Sequence, residues 1–129
     1  MDQLREMRYL EACIKEALRI RPPVHEWFRS HPSGEFLNIK NKKYYIEPSV
    51  SLFNVTYFIH MDPEHFQEPE KYKPERFLSE EKRHPFSFIP FSAGARNCIG
   101  QKFAMTELKV VLSMLLRNFN FAPKQVSKF

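Results

Sequence analysis

Cys98 stands between two of the chain's three glycines, in the run Phe91-Ser92-Ala93-Gly94-Ala95-Arg96-Asn97-Cys98-Ile99-Gly100, directly ahead of a long apolar stretch. A cysteine just before a helix faces free backbone N–H groups and the positive end of the helix dipole, and both favour an anionic sulfur. Arg96 adds a permanent positive charge two residues away. Gly94 and Gly100 admit backbone angles or close approaches that a Cβ would block. An arbitrary free cysteine is most often buried and inert; this setting selects instead for a thiolate donor. Cys13, the other cysteine, falls on the apolar side of a helix and reads as core.

The elements around the loop follow from periodicity and punctuation. Residues 4 to 20 form an amphipathic helix, with Leu10, Cys13, Ile14, Ala17 and Leu18 on one apolar face, stopped by Arg21-Pro22-Pro23. On that projection Glu16 and Arg19 fall on the flank and the opposite side, as a solvated i,i+3 ion pair worth about 0.2–0.5 kcal/mol. Phe36 to Ile39 and Tyr44 to Ile46 flank the polar Lys40 to Lys43 as a hairpin, and Val50 to Val55 is a candidate third strand. Nine of the ten prolines lie between positions 22 and 90, so a packed, irregular meander with short helical turns at most is expected from about Asp62 to Pro90. A final helix spans about Gln101 to Arg117. It is apolar around most of its circumference apart from a stripe of Lys102, Thr106, Lys109, Ser113 and Arg117, and must be covered on nearly every side.

The loop, with Phe91, Gly94, Arg96, Cys98 and Gly100 in the pattern Phe-x-x-Gly-x-Arg-x-Cys-x-Gly, resembles the haem-binding loop of the cytochrome P450 superfamily. Two further motifs stand in the family's order: Glu16-Ala17-Leu18-Arg19 is similar to the Glu-x-x-Arg of its K helix, and Pro74-Glu75-Arg76-Phe77 to its Pro-x-Arg-Phe motif. The resemblance implies that Cys98 is the axial thiolate of a haem iron, a ligand that pushes electron density to the metal and favours O–O cleavage. It implies that Arg96 binds a haem propionate, with Arg29 at the place of a second propionate-binding arginine. Phe91 packs against the ligand loop and shields it, and Gly94 and Gly100 let the backbone approach the porphyrin. Glu16, Arg19 and Arg76 join, on this reading, in a buried structural network under a third layer of protein that periodicity does not supply. The implied fold is mainly α with a small β region, the C-terminal part of the cytochrome P450 fold: K helix, β hairpin, meander, cysteine-ligand loop and L helix. Residues 1–129 thus read as the C-terminal segment of a single, incomplete domain. Cys98-Ile99-Gly100-Gln101-Lys102-Phe103-Ala104-Met105 is most similar to the animal family 4 branch.

By the same resemblance the parent protein is a haem monooxygenase that hydroxylates apolar substrates, fatty-acid-like lipids or xenobiotics, with O2 and with electrons passed from NADPH through a reductase. The segment by itself is expected to be inactive. The alternative is a truncated chain that binds a partner such as the reductase without turnover. Lys102 and Lys109, two turns apart on the polar stripe, are the candidates for docking that reductase.

Composition bounds these readings. The chain has 129 residues, 43% hydrophobic and 15% aromatic, enough for a core and against general disorder. Its net charge of +5 is dispersed among 15 acids without any nucleic-acid motif, so nucleic acid is not an expected partner. No histidine pair stands at zinc-ligand spacing with a cysteine. No run approaches the roughly 18 apolar residues a membrane span needs. The resemblance therefore places the parent protein on the cytosolic face of the endoplasmic reticulum membrane, through a portion other than this chain.

Overall fold

Met7 divides the first helical stretch. In the computed structural model, which describes residues 2–79 and 83–122, α1 covers Asp2–Glu6 and α2 covers Arg8–Ile20. The single helix expected over residues 4 to 20 is thus two, because Met7 leaves the helical region at φ −76°, ψ 58°. Helix α2 carries Glu11 in its first turn and Arg19 in its last, the arrangement the helix dipole favours. Its end is where the prolines put it: the Arg21 N–H closes on the Ala17 carbonyl at 2.8 Å, and Pro22 bars continuation.

Two antiparallel ribbons follow. Strand β1 (Glu26–Arg29) pairs with β4 (Leu52–Val55), and between them β2 (Glu35–Ile39) pairs with β3 (Lys42–Ile46). The expected hairpin is present, with a two-residue turn at Lys40 and Asn41, both at positive φ (46° and 64°), as strand twist requires of so short a connection. Strand β1 is an addition to the sequence reading; it gives the third strand its partner in the register Arg29↔Leu52. Helix α3 (Thr56–His60) comes next, then the meander with one-turn 3-10 helices at Pro74–Phe77 and Pro85–Ser87, and finally α4 (Gln101–Asn118).

Apolar side chains alone do not make the core. Among the described residues its buried hydrophobic side chains are few (Ala12, Ile14, Leu18, Phe66, Ile89), while Glu16, Arg19 and His60 are 0% exposed. The solvated Glu16–Arg19 pair of the helical projection is therefore overturned. Arg19 grips the Glu16 carboxylate with Nε and Nη2 at 2.8 and 2.9 Å, and Arg76 Nε reaches the same carboxylate at 3.0 Å. The backbone N–H of Lys73 donates to it at 2.9 Å. The other guanidinium donors meet the carbonyls of His60, Pro69 and Lys71 from Arg19, and those of Gln67, Glu68 and Lys71 from Arg76. The meander covers the second face of α2 with peptide oxygens and with the Phe66 ring, 5.1 Å from the Arg19 guanidinium carbon; because the residues it covers are charged, no hydrophobic period on α2 announces that this face is buried. Burial raises the Glu16 carboxyl, but the Arg19 and Lys73 hydrogen bonds and the two cationic charges outweigh it, leaving Glu16 below the usual carboxylate range.

Helix α4 departs from expectation in two ways. Among the described elements it packs chiefly on α1 and α2, and Phe103, Met114 and Leu116 stay well exposed. Its one buried residue is Lys109, taken from the expected polar stripe: Nζ bonds Glu11 Oε2 at 2.5 Å and the Leu4 carbonyl at 3.1 Å. Lys109 and Lys15 together hold Glu11 below its ordinary value. The expected docking pair is thus reduced to Lys102, because Lys109 is a structural cation joining α4 to the start of α2.

Arg19→Ala is expected to strand the buried Glu16 carboxylate and lower stability by about 3–5 kcal/mol, read as a reduced urea midpoint. Burial also lowers the His60 imidazole to about 4. An unfolded histidine takes up its proton near 6.5, so stability is expected to be full above that pH and to fall toward pH 4, by on the order of 3 kcal/mol. Glu16, whose folded value is depressed, extends the loss to lower pH. Thermal midpoints measured across this range check the profile, which His60→Gln should flatten at its upper end.

Candidate functional site

The cysteine loop is closed by its own backbone. Ser92 N–H bonds the Ile89 carbonyl at 3.0 Å, Asn97 N–H the Gly94 carbonyl at 3.1 Å, and Cys98 N–H the Phe91 carbonyl at 2.9 Å. The turn needs Ser92 at φ 62° and Gly94 at φ 80°. Cys98 emerges as a free, exposed thiol, and α4 starts three residues later. Gly94 is required by its backbone angle. Gly100 is not: its φ is −85°, and a Cβ there would meet Cys98 Sγ at an ordinary 3.8 Å. A positive backbone angle is thus found at Gly94, while the room at Gly100 borders the sulfur itself.

Cys98, Phe91, Arg96 and Arg29 come together on one pocket of about 380 Å³. Its walls are apolar, built by Leu18 of α2, by Pro23 and Val24 after it, and by Ile89, Pro90 and Phe91 at the entrance to the loop. Strand alternation turns Trp27 and Arg29 inward while Glu26 and Phe28 face out. Arg29 lies over the Trp27 ring at 4.5 Å and donates through Nη2 to the Arg96 carbonyl at 3.4 Å, fastening β1 to the loop. Phe91 is half-buried and contributes to the wall, but it leaves the sulfur exposed, so its hold on Cys98 is through the backbone. Gly94 and Gly100 do not line the pocket. A second, more polar hollow of about 320 Å³ lies along α2 and α4, lined by Glu11, Lys15, Gln101 and Lys109, and does not include Cys98.

Two buried polar atoms beside the first pocket, Trp27 Nε1 and Ser92 Oγ, have no hydrogen-bond partner. Buried donors are rarely left so unless something absent from the protein chain satisfies them. An apolar slot with a free thiol, two guanidinium groups and an orphaned indole N–H suits a flat apolar macrocycle that carries a metal and carboxylates. Haem has those properties, and the residues present fit it. Among the described residues no group of three or more His, Cys, Asp or Glu side chains could hold a metal ion by itself. Trp27 was not singled out in the sequence, although its place two residues before Arg29 on one strand puts both on the same face.

The family model described as Cytochrome P450 matches residues 1–129. "Probable cytochrome P450 4s3" of Drosophila melanogaster is 51% identical over 118 residues, covering 91% of this chain and 23% of its own length. "Cytochrome P450 4c3" of the same organism is 46% identical and "Cytochrome P450 4V2" of Homo sapiens 43% identical, each over 121 residues covering 92% of this chain and 22% of the relative. The chain spans about a quarter of the length of the curated relatives it matches. These matches agree with the family and the branch that the loop motif resembles.

The two glycines should separate in a thermal melt. Gly94→Ala is expected to lose about 1–2 kcal/mol from the left-handed backbone alone, since nothing lies within 4 Å of the added methyl. Gly100→Ala is expected to stay within about 0.5 kcal/mol of the parent.

Proposed function

The chain belongs to the cytochrome P450 family, and we propose that it is the haem-binding segment of a monooxygenase, with Cys98 as the axial ligand. The observation that carries this reading is the exposed Cys98 thiol on an apolar pocket that also presents Arg29 and Arg96. Bound haem would supply the insertion of one oxygen atom of O2 into a C–H bond of an apolar substrate, the other atom leaving as water with two protons and two NADPH-derived electrons. The chain's own part is to hold and to shape. Arg29 and Arg96 offer planar, permanently charged forks to the two carboxylates. Trp27 Nε1 offers a further donor, and the walls of Leu18, Val24, Ile89 and Pro90 keep water from the face they cover. The backbone bond from Cys98 to Phe91 and the start of α4 keep the sulfur directed outward.

The finer parts of the reading rest on family resemblance. Residues 1–129 serve as the C-terminal segment of one larger domain, which their quarter-length coverage of the relatives supports. Substrates are fatty-acid-like lipids or foreign apolar compounds, and an NADPH-dependent reductase delivers electrons. Lys102 is the exposed basic residue of α4 near the loop that remains open to such a partner. The whole enzyme resides at the endoplasmic reticulum membrane; among the described residues no helix is long and apolar enough to cross a membrane.

Loading the protein with hemin, reducing it and adding carbon monoxide tests the ligand. A strongly red-shifted Soret band is expected, and Cys98→Ala should abolish it; a band that survives the substitution means another ligand. Arg29→Gln and Arg96→Gln are each expected to weaken haem retention about tenfold or more, the scale of one hydrogen bond to a charged group. Transfer of haem to an excess of apomyoglobin measures the loss.

A further inference from the structure

We propose that His60 is a positioning residue for Cys98: its Nε2 holds the backbone N–H of Ile89 and thereby fixes the entrance of the cysteine loop to the buried Glu16–Arg19 network. This rests on the reading of Cys98 as the haem ligand and adds to it the element that sets where the ligand stands.

The connection runs through one buried residue. His60 ends α3, and its carbonyl oxygen accepts Arg19 Nη1 at 2.9 Å. Its side chain points the other way, where Nε2 accepts the Ile89 N–H at 2.9 Å. From there the loop follows by backbone bonds, Ser92 N–H on the Ile89 carbonyl and Cys98 N–H on the Phe91 carbonyl. Ile89 itself is buried and Pro90 follows it, so the chain has little freedom to enter the loop at another height. His60 is the only residue in the described structure whose backbone binds the ion network while its side chain binds the segment that begins the loop.

A histidine kept merely to fill space would be a poor choice here. Because Nε2 accepts, a neutral imidazole carries its proton on Nδ1, and Nδ1 is buried without a partner. Phenylalanine or leucine would fill comparable volume with no Nδ1–H to bury, but would leave the Ile89 N–H without its acceptor. What the imidazole supplies that they lack is the acceptor. Burial keeps it neutral and therefore accepting near pH 7, and the Phe88 ring, 5.2 Å away, holds its plane.

The test compares His60→Gln, whose amide reaches the position of Nε2, with His60→Asn, whose amide ends at the position of Nδ1. Both are made in the haem-loaded protein. The readouts are hydrogen exchange at the Ile89 and Cys98 amides and the fraction of the ferrous carbon monoxide form in the red-shifted Soret band. His60→Gln is expected to retain both. His60→Asn is expected to speed exchange at both amides at least tenfold and to halve the red-shifted fraction or worse. An Asn variant indistinguishable from wild type, or equal loss in Gln and Asn, overturns the proposal. Should His60→Asn fail to fold, His60→Gln decides: protected Ile89 with an intact band supports it, and exchanging Ile89 with an intact band overturns it. A wild-type protein without the red-shifted band would refute the ligand reading instead, and the amide exchange would still show whether His60 holds the loop.

Discussion

A carboxylate sealed from water must be neutralised where it sits, and in this chain that requirement organises everything else. Glu16 has no solvent contact, and its partners are drawn from α2, from the peptide N–H of Lys73 and from the guanidinium of Arg76. Such pairs add little net stability over hydrophobic packing of the same shape, because desolvation consumes most of the attraction. They do impose direction. A guanidinium fork tolerates only a few arrangements of oxygens around it, so the carbonyls of residues 67, 68, 69 and 71, which belong to no helix or sheet, are fixed to one side of α2 beside that of His60 at the end of α3.

The site is built outward from that base. Helix α2 contributes Leu18 to the pocket wall and Arg19 to the network from adjacent positions, so one turn of helix serves both. The proline-terminated end of α2 throws the chain into β1, whose pairing with β4 turns Trp27 and Arg29 toward the cysteine loop. The loop reaches the same place from the far end of the meander and is tied back by Arg29 at the Arg96 carbonyl. Residues far apart in sequence thus meet around Cys98 through the β1–β4 ribbon and one ion network, with a modest apolar core beneath them.

Much of this was legible beforehand wherever a residue type has one physical use. Arg21-Pro22-Pro23 ended the helix, the polar Lys40 to Lys43 marked the hairpin although its turn takes only Lys40 and Asn41, and proline density marked the meander. Legibility failed where burial is achieved by polar groups. Hydropathy sees Glu16, Arg19 and Lys109 as surface residues, yet Glu16 is enclosed by guanidinium and peptide N–H donors, Arg19 meets peptide oxygens, and Lys109 is drawn in by Glu11. Strand β1 was missed because Glu26-Trp27-Phe28-Arg29 is short and charged at both ends, and its strand character comes from pairing with β4. The break at Met7 carries no Gly or Pro to mark it. The helical projection left Glu16 and Arg19 at the surface because a helical wheel holds no information about contacts made by distant segments such as residues 67–76.

Helix α4 and the near side of α2 leave a trough of about 480 Å³ between them, lined by Leu10, Cys13, Ala17, Leu108, Leu112 and Leu116. Hydrocarbon held against water in this way costs free energy in proportion to its area, so any apolar group laid along the trough would add to the stability that the ionic centre alone does not provide.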